Sequence, residues 1–265
     1  MKVKTQDILR ELTEIRRRDA EEREAATPFE EMMRRASGAP VPRDFAGAFP
    51  RGGVNVIAEL KRASPSEGMI RAEFRPAELA RELADAGAAA LSVLCEPHRF
   101  LGGEEYLREA RAATDLPLLY KDFLSTRYQI AAARAAGADA VLLIAAVLDD
   151  ATLAGLLDFT RSLGMEALVE THDLAEIGRA ANAGAKVIGV NCRDLRDFTT
   201  DVSLLERMMG SVPEECVRIA ESGMHTREAV LRAKAAGADG FLVGTALMRA
   251  PSPGEKLNQL LTTNH

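Results

Sequence analysis

The chain has 265 residues, 47% of them apolar and 28% charged, enough to bury a large core as one big α/β domain or two ordinary ones. Its formal net charge of −6 excludes a general affinity for nucleic acid, whose phosphate backbone rewards a basic face, so an anionic partner has to be met locally. Cys95, Cys192 and Cys216 are too few and too scattered for a disulfide framework or a zinc site, the longest apolar run (Val141 to Leu148) is too short to span a bilayer, and no signal or transit pattern opens the chain. A soluble cytoplasmic protein with reduced thiols, with no membrane or nucleic-acid partner, is expected.

Residues 1–50 read as an N-terminal extension of two helices. Ile8, Leu9, Leu12 and Ile15 recur at helical spacing, and the charged runs 16–18 and 21–24 read as solvated. Thr27-Pro28 has the form of an N-cap and first turn for a second helix through Arg35. Gly38, Pro40, Pro42, Pro50 and Gly52-Gly53 then link this extension to the remainder, which is expected to form one domain with it.

From there, apolar runs alternate with helical patterns: VNVIAEL (54–60), ALSVLC (90–95), LPLLYK (116–121), AVLLIA (140–145), EALVE (166–170), VIGVN (187–191), CVRIAES (216–222) and GFLVG (240–244). Ala-Gly-Ala closes the helical patterns at 86–88, 136–138, 183–185 and 236–238, glycine being the usual residue just past a helix C-terminus. Runs of Val, Ile and Leu without full polar alternation belong to strands covered on both faces, as in parallel sheets. Eight such βα units predict a closed (β/α)8 TIM barrel, which leaves no edge to protect. An open doubly wound sheet is the alternative, but the stretch after its first strand, RASPSEG, lacks that fold's Gly-rich nucleotide turn.

In a parallel barrel the active site is built at the C-terminal ends of the strands. Those ends carry Glu59 and Lys61, Cys95, Lys121, Ile144, Glu170, Asn191, Ser222 and Gly244. One polar strand end is ordinary; a set converging on one mouth needs mutual pairing or a ligand to offset desolvation. Glu221-Ser222-Gly223-Met224 and Val243-Gly244-Thr245, after the last two strands, each bring a glycine and a hydroxyl to a turn leading into a helix, the common phosphate site of such barrels. A small phosphorylated substrate is implied. His98, His172 and His225 read as loop or helix-start residues, and Asp149-Asp150 and Asp173-x-x-Glu176 as helix caps rather than metal ligands.

The segments AELKRASPSEG, LSVLCEPHRFLGG, PLLYKDF, ALVETHD, VIGVNCRDL, IAESGM and FLVGTALM together resemble, in order, the strand-end motifs of indole-3-glycerol phosphate synthase. The resemblance implies an enzyme of tryptophan biosynthesis that closes, decarboxylates and dehydrates 1-(2-carboxyphenylamino)-1-deoxyribulose 5-phosphate with no metal or organic cofactor, as a monomer or homodimer. By the same resemblance Lys121 is the general acid, Lys61 a lysine for the substrate's charged groups with Glu59 orienting it, Glu170 the general base and Asn191 the holder of the developing hydroxyl. Ser64 and Pro65 match substrate-loop contacts, Arg193 a carboxylate contact, Phe100 and Phe123 walls for the aromatic ring, and Ser222, Gly223, Gly244 and Thr245 the phosphate site. Cys192, Tyr120 and Thr245 stand where the family commonly has asparagine, arginine and serine; Cys192 reads as a buried neighbour of Asn191. Alternatives are another phosphosugar barrel enzyme, such as phosphoribosylanthranilate isomerase or a Schiff-base aldolase using Lys121, and a non-catalytic barrel subunit.

Overall fold

A computed structural model describes residues 5–191 and 202–262 of the chain. Each predicted apolar run forms a strand: β1 Asn55–Leu60, β2 Ala90–Leu94, β3 Leu118–Lys121, β4 Ala140–Ile144, β5 Glu166–Thr171, β6 Val187–Asn191, β7 Val217–Glu221 and β8 Gly240–Val243. Neighbours in sequence pair in parallel, and β8 returns to β1 with Asn55 opposite Gly240 and Ile57 opposite Leu242, closing the barrel. The open-sheet alternative is thereby excluded. Side-chain alternation divides the apolar residues into two cores. Ile57, Leu119, Leu142, Leu168, Val187, Ile219 and Leu242 fill the barrel interior, whereas Val56, Ala58, Leu91, Val93, Val141, Leu143, Val169 and Val190 face the surrounding helices.

The extension forms α1, Thr5–Ala26, and α2, Phe29–Gly38. Leu9 and Leu12 of α1 join the interior core, so this helix covers the mouth, while α2 packs against the helix Arg127–Ala136. The link beyond α2 closes the other end. Phe45 and Phe49, T-shaped with ring centroids 5.2 Å apart, plug the floor, and a side chain at Gly240 would strike both Phe49 and Ile219.

Two expectations fail here. Arg16 is buried rather than solvated, because it lies on the same helical face as Leu12 and Ala20, which are both buried, and meets an acidic partner in the barrel. Thr27 does not cap α2; Pro28 occupies the N-cap with φ −56° and ψ 154°, and no side chain bonds there. A hairpin pairing Ala63–Ser64 with Gly68–Met69 follows β1, unannounced by any apolar run. Among the described residues no helix is long and apolar enough to cross a membrane.

Candidate active site

The alternation that fills the interior also supplies the mouth. Two residues beyond Ile57, Leu119, Leu168, Ile219 and Leu242, on the same strand face, come Glu59, Lys121, Glu170, Glu221 and Gly244. With Lys61 and Asn191 they line a cavity of about 170 Å³ roofed by Ile8, Leu9 and Leu12 of α1.

The charged groups are held by one another. Lys61 Nζ lies 2.8 Å from Glu59 Oε1. Lys121 Nζ donates to Glu221 Oε2 at 3.1 Å and to Glu170 Oε2 at 3.3 Å. On the other oxygen of Glu170, Asn191 Nδ2 donates at 3.2 Å, and Ser222 Oγ donates in turn to Asn191 Oδ1 at 2.8 Å. His172 Nε2 also lies 3.2 Å from Glu170 Oε1, close enough for an ion pair but off the direction of a hydrogen bond.

This packing sets the protonation states. Burial disfavours charge on Lys121, but Glu221, Glu170 and Glu59 outweigh it and hold the ammonium well above the usual lysine range. Burial also opposes the Glu170 carboxylate; Lys121, His172 and Asn191 prevail and keep it ionised well below the usual carboxylate range. Glu221 takes the opposite course, because burial and the neighbouring Glu170 charge exceed the pull of Lys121 and push its carboxyl up to about 8. Two carboxylates sharing one lysine have been driven apart, one to remain charged and one to retain a proton around neutrality.

Backbone geometry makes room for this cluster. A side chain at Gly189 would strike Glu221 Oε1, and one at Gly244 would strike Glu59 Oε1 and crowd Lys61 Nζ. Strand alternation would turn Ser222 outward with Ala220; instead Ser222 takes φ 65° and Gly223 φ 75°, swinging the Ser222 hydroxyl to Asn191. A left-handed non-glycine residue costs about 1–2 kcal/mol, and such strain persists where a site requires the position.

The walls come from the loops. Phe100 and Phe123 face each other at 6.2 Å across the apolar side. Phe100 is presented by a tight loop in which Glu96, fully buried, accepts the backbone N–H groups of His98, Arg99 and Phe100. Ser64 and Pro65 enter from the hairpin after β1, which is tied to the segment after β8 by Arg71 donating to the Met248 and Ala250 carbonyls and by an Arg249–Glu67 pair. Beside Lys121, Asp122 is 2% exposed and receives the Arg16 guanidinium in bidentate fashion, Nε to Oδ1 at 3.0 Å and Nη2 to Oδ2 at 2.8 Å. Arg16 also meets Asp19, which pairs with His98 at 2.8 Å, so α1 is fastened to the loops after β2 and β3.

Glu59, Lys61, Ser64, Pro65, Phe100, Lys121, Phe123, Glu170, Asn191, Ser222, Gly223, Gly244 and Thr245 therefore share one cavity, whereas Arg193 and Cys192 lie outside the described residues. Thr245 opens a helix of only four residues, Thr245–Met248, with Gly244 before it. Asp149 and Asp173 accept the Thr152 and Glu176 N–H groups as helix caps, and among the described residues no group of three or more His, Cys, Asp or Glu could hold a metal ion. Sequence reasoning missed Glu221, Asp122, Arg16 and the contact of His172. The Ile219–Glu221 alternation signalled the first; the others depend on loop and helix placement.

A family model described as indole-3-glycerol phosphate synthase matches residues 9–260. The chain is 44% identical to the indole-3-glycerol phosphate synthase of Albidiferax ferrireducens over 97% of its own length and 99% of the relative's. It is 46% identical to that of Micrococcus luteus, covering 94% of this chain and 95% of the other. It is 50% identical to indole-3-glycerol phosphate synthase 2 of Streptomyces coelicolor, covering 85% and 88%. Among solved structures, a 3-hexulose-6-phosphate synthase superposes with TM-score 0.63 at 16% identity over 78% of this chain and 98% of that one. A thiamine phosphate pyrophosphorylase from Pyrococcus furiosus gives 0.59 at 18% identity over 78% and 93%, a likeness of fold alone.

Proposed function

We propose a division of labour at the barrel mouth from the premise that the chain belongs to the indole-3-glycerol phosphate synthase family. It is a lyase of tryptophan biosynthesis that turns 1-(2-carboxyphenylamino)-1-deoxyribulose 5-phosphate into indole-3-glycerol phosphate, CO2 and water. The reaction needs a ring carbon to attack a ketone, the ring carboxylate to leave as CO2, and the new hydroxyl to leave as water while a C–H proton is removed. One acid must donate twice and one base must accept.

Lys121 is the acid. It gives its first proton to the ketone oxygen as the ring closes, and the second to the departing hydroxyl. Glu170, kept ionised, takes the C–H proton in the dehydration, and Asn191, already bonded to Glu170 and Ser222, steadies the hydroxyl between these steps. Lys61 receives an anionic group of the substrate, with Glu59 holding its ammonium in place. Phe100 and Phe123 flank the aromatic ring, Ser64 and Pro65 close over it, and Arg193 meets its carboxylate. The Ser222, Gly223, Gly244 and Thr245 turns take the phosphate, whose remote binding energy fixes a flexible chain for ring closure.

The observation carrying this reading is Lys121 between Glu170 and Glu221, a charged donor within about one side-chain shift of both the base and a carboxyl that keeps a proton. Glu221 is then the source from which Lys121 is reprotonated between donations. Residues 1–50 act as part of the same domain, since α1 roofs the cavity, and a monomer suffices because one chain lines it. The unpaired buried thiols of Cys95 and Cys216 support a reducing, cytoplasmic setting.

The test is Lys121→Met, which keeps an unbranched apolar stem and removes the ammonium. Its kcat should fall by about 10²- to 10⁴-fold with substrate binding largely retained. Parent-like turnover in the folded variant would refute the assignment. Failure of borohydride to trap substrate on the parent would separate an acid lysine from a Schiff-base lysine.

A further inference from the structure

His172 stands behind Glu170 and is not among the residues lining the cavity. Its ring bridges two carboxylates, Nε2 lying 3.2 Å from Glu170 Oε1 and Nδ1 lying 3.3 Å from Glu176 Oε2. Glu176, 7% exposed, also accepts the His172 backbone N–H at 2.7 Å, and its own N–H is capped by Asp173 at 2.8 Å. The turn is fastened at its start by Thr171 Oγ1 donating to the Gly189 carbonyl at 2.8 Å. A ring gripped from behind in this way has little freedom except to face Glu170.

We propose that His172 is a positioning residue for the reaction, a half-buried cation clamped by Glu176 that keeps Glu170 ionised and aimed into the mouth. This rests on the reading of Glu170 as the base. The charges around the pair make a cation there useful. Glu170 faces Lys121 from β3, Asn191 from β6 and the Glu221 carboxyl from β7, with Glu59 and Lys61 of the β1 end beyond Lys121. When Lys121 has given up its proton, Glu170 loses its principal counter-charge at the stage when it must accept one. A second cation that touches no substrate preserves the carboxylate through that interval. Burial opposes charge on His172, yet Glu170 and Glu176 outweigh it and push the ring up to about 10, so it stays charged through the neutral range.

The experiment follows kcat and KM against pH for the full chain and for His172→Gln, Glu170→Gln and the double variant, and titrates the His172 ring of the unsubstituted protein by its imidazole nitrogen NMR shifts. His172→Gln should lower kcat by about 10-fold, less than the roughly 10²- to 10⁴-fold of a base itself, with KM changed less than about 2-fold. Without the cation the Glu170 pKa rises toward its ordinary value, so the acidic limb of kcat should move to higher pH, which a merely structural role would not cause. The double variant should be no slower than Glu170→Gln, and the ring should remain doubly protonated at about pH 8.

A ring titrating near its ordinary 6.5, an unmoved acidic limb, or losses that multiply in the double variant would each overturn the proposal. Should His172→Gln fail to fold, the ring titration in the unsubstituted protein decides. The premise is judged separately: parent-like turnover of Glu170→Gln removes the base, and the proposal with it. An impaired Glu170→Gln beside a parent-like His172→Gln refutes the proposal alone.

Discussion

At the floor of the barrel, Asp139 is 2% exposed and accepts from the Arg43 and Leu118 backbone N–H groups at 2.8 and 2.7 Å and from Arg111 at 2.6 Å. Asp239, 7% exposed, is met there by the Arg218 N–H at 3.0 Å and by its guanidinium. At the mouth, Glu170 and Glu221 are as deeply buried and Lys121 is half-buried, and the three lean on each other. Floor charges are tied to backbone that cannot move without the strands; mouth charges are tied to side chains whose protons can redistribute. The difference shows how one barrel separates holding itself together from reacting, as expected where the C-terminal face carries the chemistry and the opposite face the stability.

The largest contrast comes from setting Asp139→Ala beside Lys121→Met. Removing Asp139 strands two N–H groups and leaves the half-buried Arg111 guanidinium with only the Thr114 and Leu116 carbonyls, and should cost about 3–5 kcal/mol of unfolding free energy, with kcat/KM of the folded fraction unchanged. Lys121→Met should do the reverse, losing turnover by about 10²- to 10⁴-fold with a smaller loss of stability than Asp139→Ala, because Glu170 keeps His172 and Asn191 beside it and Glu221 can hold a proton. Denaturant unfolding and steady-state kinetics on both variants check this; a floor variant that folds well and turns over slowly would erase the distinction.

Glu221→Gln gives a smaller effect with a defined sign. The folded chain holds its carboxyl at about 8 against an ordinary 4.5, so the stability tied to this proton is full below about 4.5 and is lost as pH rises toward about 8. Glutamine loses nothing in that window. The melting temperature of the variant relative to the parent should therefore climb from acid to mildly alkaline pH, with a ceiling of about 1.4 kcal/mol per pH unit. A difference constant with pH would mean that Glu221 is ionised throughout.

Ser222→Ala combined with Thr245→Ala should give the mildest change, raising KM by about 10-fold and kcat hardly at all, the signature of lost uniform binding. Weaker inhibition by inorganic phosphate should accompany it. Undiminished phosphate inhibition would move the phosphate away from these turns.

The floor and mouth were unequally legible. Ala-Gly-Ala followed by aspartate at Asp139 and Asp239 marks strand entries openly, and period-two alternation carries Ile57 to Glu59 and Leu168 to Glu170 without further information. The same rule reaches Glu221, yet the hydroxyl of Ser222 looks like the functional strand end until its left-handed φ is known. Arg16 disappears into a charged helical run although Leu12 and Ala20 share its face, and its partner Asp122 comes from a loop over a hundred residues away. His172 reads as the neighbour of a helix cap because its contact with Glu170 depends on how one short turn folds. Gly189 left no sequence signal, since its reason is space for a side chain on the next strand.

Glu170 is ionised and paired at the mouth, and as the base of the dehydration it is needed only after ring closure. Rapid-quench analysis of Glu170→Gln, following CO2 and indole-3-glycerol phosphate separately in one turnover, tests that order directly. CO2 release should persist while the indole product falls by about 10²-fold or more, and the acidic limb of kcat should disappear with the carboxylate. Equal loss of both products would contradict that order and move Glu170 to substrate binding or ring closure.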